Sequence, residues 1–222
     1  AGLNQITIGI ETGSEKVLKL VKKGCSKNDH IKAGKKIKKA GITLSVNIMP
    51  GLGGEKHSIE HAKASADVIN QINPDFIYLL SYVPPVSYVP PENAGPFTES
   101  TKKLCGMPTD NLIAKEICLF INSLDGITST IKSDHALNLF KDVTGTLPQD
   151  KSKMMKSIEK FFNLDQKKQM IYQIGKRSGI FVSIEDLNNQ GKVRQVEQKC
   201  IQDEITRENL DQKLIEMKQK FV

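Results

Sequence analysis

The chain has 222 residues, 38% of them apolar and 26% charged, with no tryptophan and a formal charge of +7. That length buries a substantial core, as one domain with an appendage or as two small ones, and the balance is that of a folded protein on the polar side. No apolar run is long enough to cross a bilayer and no signal-peptide order opens the sequence, so a soluble cytoplasmic protein is the default expectation.

The first predicted element is a strand over Gln5-Ile-Thr-Ile-Gly-Ile-Glu11, where Ile6, Ile8 and Ile10 are β-branched and Gly9 leaves one face bare. Glu11 stands at the carboxyl end of this strand, before Thr12-Gly13-Ser14. Ligands of α/β proteins bind in the crevice at such strand ends, so the carboxylate is a candidate for chemistry; capping the next helix is the plainer use of the same position. Ser14 to Lys23 reads as an amphipathic helix closed by Gly24, and Ser26 as the N-cap of a second helix reaching Ala40. Ten lysines lie between Lys16 and Lys39 at helical spacing, with Val17, Leu18, Val21, Ile31 and Ile37 facing inward. No aromatic residues interleave with them for base stacking, so they read as a solvated outer face, and a nucleic-acid partner is not indicated.

Ile42 to Met49 is a second strand, Pro50-Gly-Leu-Gly-Gly54 a loop, and Ile59, Ala62, Ala66, Ile69 and Ile72 mark the inward face of the helix that follows. After the turn Asn73-Pro74-Asp75, Phe76 to Tyr82 is a third strand. Five prolines between Val83 and Pro96 predict a long irregular loop that shapes a pocket. Thr109 to Leu124 is a helix by the spacing of its apolar residues, and Ile127 to Ile131 a short fourth strand ending near Ser133-Asp134-His135. Four successive βα-type units predict a parallel sheet. Its first strand would show an unpaired apolar edge, which predicts a partner or an upstream segment to cover it. From Thr146-Leu-Pro148 onward the chain is helical: one helix carries Met154, Ile158 and Phe161, another runs to about Lys176, and an amphipathic tail from Lys192 to Val222 breaks near Asp203.

Three segments in order resemble the radical S-adenosylmethionine (SAM) superfamily. Ile8-Gly-Ile-Glu-Thr-Gly-Ser14 with Val17-Leu18 and Lys22-Lys-Gly24 looks like the family's strand, glycine loop and V-L helix. Ala40-Gly-Ile and Pro50-Gly-Leu-Gly-Gly-Glu55 look like its A-G-I strand ending in P-G-L-P-G-E. Ser133-Asp-His-Ala-Leu-Asn138 followed by Gly145-Thr-Leu-Pro148 is similar to a pattern in an iron-sulfur oxidoreductase-like branch. The resemblance implies an α/β fold: a partial TIM-like (βα) barrel with parallel strands over 1–145, its C-terminal half, and a helical extension over 146–222. It implies that Glu11 hydrogen-bonds the ribose of SAM beside Ser14, that Ile48, Met49, Pro50 and Gly51 line the adenine, that Tyr78 adds a wall, and that the 83–96 loop and His135 face a substrate, small or macromolecular. The family also carries a 4Fe-4S cluster on C-x-x-x-C-x-x-C, which cleaves SAM to a 5'-deoxyadenosyl radical. Cys25, Cys105, Cys118 and Cys200 are scattered and read as free thiols, so cluster ligands are expected in an upstream half of the barrel.

Two other readings compete. A binding scaffold would engage RNA or a protein partner through the basic helices and tail. His57-Ser-Ile-Glu60-His61 also spells the H-x-x-E-H of zinc hydrolases, although both histidines read more simply as exposed helix residues. Gly51-Leu-Gly-Gly54 fails as a dinucleotide fingerprint, because Lys56 stands where the third glycine belongs.

Overall fold

The computed structural model describes residues 2–83 and 108–220. Gln5–Glu11 is β1, Glu15–Leu20 α1, Lys27–Lys39 α2, Thr43–Ile48 β2, Gly54–Ile72 α3 and Phe76–Leu79 β3. Asp110–Ser123 is α4, Thr130–Lys132 β4 and Gly145–Thr146 β5. The extension comprises α5 (Lys151–Phe162), α6 (Gln166–Arg177), a 3-10 turn (Ile184–Asn188), α7 (Gln190–Gln202) and α8 (Leu210–Gln219). Strands stand in sequence order from β1 to β5; the first four are parallel, and β5 joins β4 antiparallel. The α/β class, the parallel strands and the helical extension are as expected, while β5 and the 3-10 turn are additions.

Local chemistry sets the helix starts. The hydroxyls of Ser14, Ser26 and Thr109 each accept a backbone N–H of the first turn, and Asp29 completes a capping box with Ser26. Asn73, in the left-handed conformation, closes α3 and then ties down the approach to β4 by accepting the Thr128 amide. Ser129 is held by the Pro74 carbonyl at the same turn, so regular pairing begins at Thr130 rather than at Ile127. β3 is likewise shorter than predicted, although Leu80 and Tyr82 still donate to the Ile48 and Pro50 carbonyls.

Alternation gives the sheet two unlike faces. Leu44, Val46, Ile48, Ile77, Leu79 and Ile131 are buried under α3 and α4, in a core that continues without a break to Phe161, Tyr172, Val196 and Leu214 of the extension. The other face carries Thr7, Gly9, Asn47, Tyr78 and Lys132, with Gly9, Asn47, Tyr78 and Lys132 paired in one row across four strands. These residues are half-buried or exposed.

Candidate functional site

The carboxyl end of β1 is built by a bulge. The register with β2 slips between Gly9 and Glu11, and Glu11 takes a φ of 63°, a left-handed conformation that costs a residue with a Cβ about 1–2 kcal/mol. The slip turns the Glu11 side chain back along the strand, above Gly9: a Cβ at position 9 would collide with Oε1 of that carboxylate. Lys23 Nζ stands 3.4 Å from Oε1, whereas Oε2 is buried with no hydrogen-bond partner among the described residues. Burial pushes the Glu11 carboxyl above its ordinary value and Lys23 pulls it partly back. Backbone strain together with an unsatisfied buried oxygen is how ligand sites commonly look before the ligand's own donor arrives.

Beside it runs the loop from Met49 to Gly53. The Met49 amide donates to the Glu11 carbonyl at 2.9 Å, and the Met49 side chain packs on Val17, Val21, Leu52 and Tyr82. Gly51, at φ 89°, donates its amide to Glu116 Oε1 at 2.6 Å. Ile48 is 1% exposed with its side chain in the core, so only its backbone reaches the strand end. Ser14 is also fully engaged: it caps α1 and donates to Glu60 Oε1 at 2.8 Å. Tyr78 is half-buried on the open face, with the Lys132 ammonium 5.5 Å from its ring centre and 5.1 Å from that of Phe76.

His135 follows β4 in a turn, half-buried, with Nδ1 buried and unpartnered among the described residues; burial lowers its pKa. Its neighbour Asn138 is a bracket, donating Nδ2 to the Leu79 carbonyl at 2.7 Å and to Ser133 Oγ, and accepting the Ser81 amide at 3.0 Å. The 83–96 loop lies, from Pro84 on, outside the described residues.

The zinc-hydrolase letters separate in space. Glu60 is bound by Ser14 and Lys16, while His61, expected to be exposed, is 1% exposed and faces the protein interior. No three His, Cys, Asp or Glu side chains among the described residues converge to hold a metal, and Cys25, Cys118 and Cys200 are free thiols on separate elements. These residues do not fit a 4Fe-4S cluster. They leave a buried carboxylate oxygen of Glu11 able to accept a hydrogen bond. Sequence reasoning missed Glu116, and it placed Asn138 in a motif without its role as a bracket. Glu116 was detectable, since it shares the inward spacing of Ile113, Ile117 and Phe120.

Parallel strands with a carboxylate and a glycine loop at neighbouring strand ends are the arrangement that the motifs implied, and residues 1–65 match the radical SAM superfamily. The resemblance is thus borne out over that segment. Over 76 residues the chain is 37% identical to the tRNA uridine(34) acetyltransferase of Methanocaldococcus infernus, an alignment covering 34% of this chain and 14% of that protein. A structure of the archaeal Methanocaldococcus infernus Elp3 lacking its N-terminus is similar over 59% of this chain and 30% of its own, with 22% identity and a TM-score of 0.45. The chain therefore spans a small part of the relative's length. That relative is an acetyltransferase by name and lends no support to an oxidoreductase.

Proposed function

We propose that this chain supplies the nucleoside-binding strand ends of a radical SAM barrel. The observation that carries the reading is the buried Oε2 of Glu11, unpartnered among the described residues and held over Gly9 by a strained bulge. A ribose hydroxyl donating to it satisfies the oxygen, and a hydrogen bond to a charged group contributes about 1.5–3 kcal/mol. Met49, Pro50 and Gly51 are the backbone segment that would edge the adenine, the bare side of Gly51 being turned to Ile113 and Pro108. Tyr78 closes the open face. When bound, SAM supplies the adenosyl group from which the family's radical chemistry starts; this chain's part is to seat it and shield it. The cluster's ligands are not among these residues, and the open edge of β1 supports a barrel completed by further strands.

A nucleic-acid substrate is the second reading, favoured by Lys32, Lys35, Lys36 and Lys39, exposed together on α2, and in keeping with a relative named for a tRNA uridine. Salt-sensitive binding of tRNA that is lost on neutralising these four lysines supports it.

Calorimetric titration of SAM into the wild-type chain and Glu11→Ala tests the first reading. Loss of the ribose contact is expected to weaken binding roughly 10- to 100-fold. Equal affinity in the two proteins overturns the assignment of Glu11.

A further inference from the structure

Beneath the two strand ends lies a buried polar cluster that the nucleoside-binding reading leaves unused. His61 projects from the inward face of α3, and its Nε2 stands 3.2 Å from the Glu11 carbonyl oxygen. A carbonyl can only accept, so Nε2 carries the proton. On the other side of the ring, Nδ1 stands 3.0 Å from Glu116 Oε1, a close contact that is not a hydrogen bond among the described residues, both side chains being 1% exposed. Glu116 comes from the inward face of α4. Its Oε1 also accepts the Gly51 amide at 2.6 Å, and its Oε2 accepts the Ser58 hydroxyl at 2.5 Å. A chain of close contacts thus runs from the backbone of Glu11 through imidazole and carboxylate to the backbone of Gly51, hydrogen-bonded at its two ends and at ion-pair distance in its middle.

The path has a geometric consequence. Glu11 and Gly51 lie on the two loops that flank the proposed nucleoside. The Met49 amide already ties the β2 loop to the same Glu11 carbonyl, so that oxygen is gripped from two directions. The left-handed Glu11 conformation persists only where the surroundings over-determine it, and this double grip on its carbonyl does so. In a dry interior a carboxylate–imidazole pair is stiff, and losing either member strands the other. The amide of Gly51 is held by a carboxylate rather than by a carbonyl of a neighbouring strand, and its bare side packs against Ile113 and Pro108.

We propose that His61 and Glu116 are positioning residues that fix the Glu11 loop against the Gly51 loop at the spacing a nucleoside requires. Neither touches the ligand; both act through backbone groups. This rests on the reading of Glu11 and the 49–51 loop as the nucleoside site.

The test combines SAM titration with amide NMR spectra and thermal melts of the 222-residue chain. Glu116→Gln is nearly isosteric and Ser58→Ala small, so at least these two variants keep the fold. Glu116→Gln is expected to move the Gly51 amide resonance upfield, as its charged acceptor is lost, and to weaken SAM about tenfold with a near-normal melting temperature. His61→Gln, which can still donate to the Glu11 carbonyl, is expected to keep most of the affinity, whereas His61→Leu loses it. A purely structural role instead predicts that affinity follows melting temperature and that Gln gives no rescue. If Glu11→Ala weakens SAM while the 61 and 116 variants bind as wild type does, the positioning role falls and the site stands. If wild-type protein binds no SAM, or Glu11→Ala binds equally, site and positioning role fall together.

Discussion

At Gly9 the absence of a side chain is what seats the Glu11 carboxylate, since a methyl group there would occupy the place of Oε1. The obstacle is the far end of a flexible side chain, so Gly9→Ala should displace the carboxylate and spare the backbone. A drop in SAM affinity of about tenfold or more, with a melting temperature within a few degrees of wild type, is the expected outcome in titration and thermal melts. The place of Glu11 at the carboxyl end of an apolar strand was legible in the sequence. Its left-handed conformation and its fold back over Gly9 were not, because a bulge depends on the register with a strand more than thirty residues away. His61 was read wrongly for a related reason: the inward helical face fixed by Ala62, Ala66 and Ile69 is wide enough to include it, and a polar letter beside apolar ones looks exposed until its partners on α4 are known.

Among the elements, strands and helices with a local signal were predicted to within a few residues, and capping residues marked their starts. Segments shaped by distant partners were not. The path beyond β3 is settled by Asn138, fifty-seven and fifty-nine residues from its partners Ser81 and Leu79, whose backbone it bonds where a neighbouring strand otherwise would. Asn138→Ala strips a partner from the buried Ser81 amide, the Leu79 carbonyl and the Ser133 hydroxyl. An unsatisfied buried group costs about 1–3 kcal/mol, so a loss of about 3 kcal/mol or more is expected in urea denaturation. Asn138→Asp should do little better, because a carboxylate cannot donate to the Leu79 carbonyl.

Across the molecule, the extension is joined to the sheet by more than apolar packing. Asp110, at the start of α4, is buried between Arg177 of α6 at 2.7 Å and Lys218 of α8 at 3.0 Å. Arg177 also donates to the Leu137 carbonyl and Lys218 to that of Pro108. Burial alone would raise the Asp110 pKa, but the two cations outweigh it and hold the carboxyl at about 2. Because the folded value is depressed, the stabilisation is complete above the ordinary carboxylate range and is lost as pH falls from about 4 through about 2. It amounts to on the order of 2 kcal/mol, seen as a fall in melting temperature across that window. Asp110→Asn should flatten this dependence and, by stranding two buried cations, cost about 3–5 kcal/mol at neutral pH. Asp110 was legible only as an acid favouring a helix start, since its partners stand 67 and 108 residues downstream. That separation bears on the order of events during synthesis. The carboxylate leaves the ribosome long before either cation does, so the sheet can assemble early while α4 keeps a solvated N-terminus. The last helix then acts as a latch, closing only when Lys218 has been made.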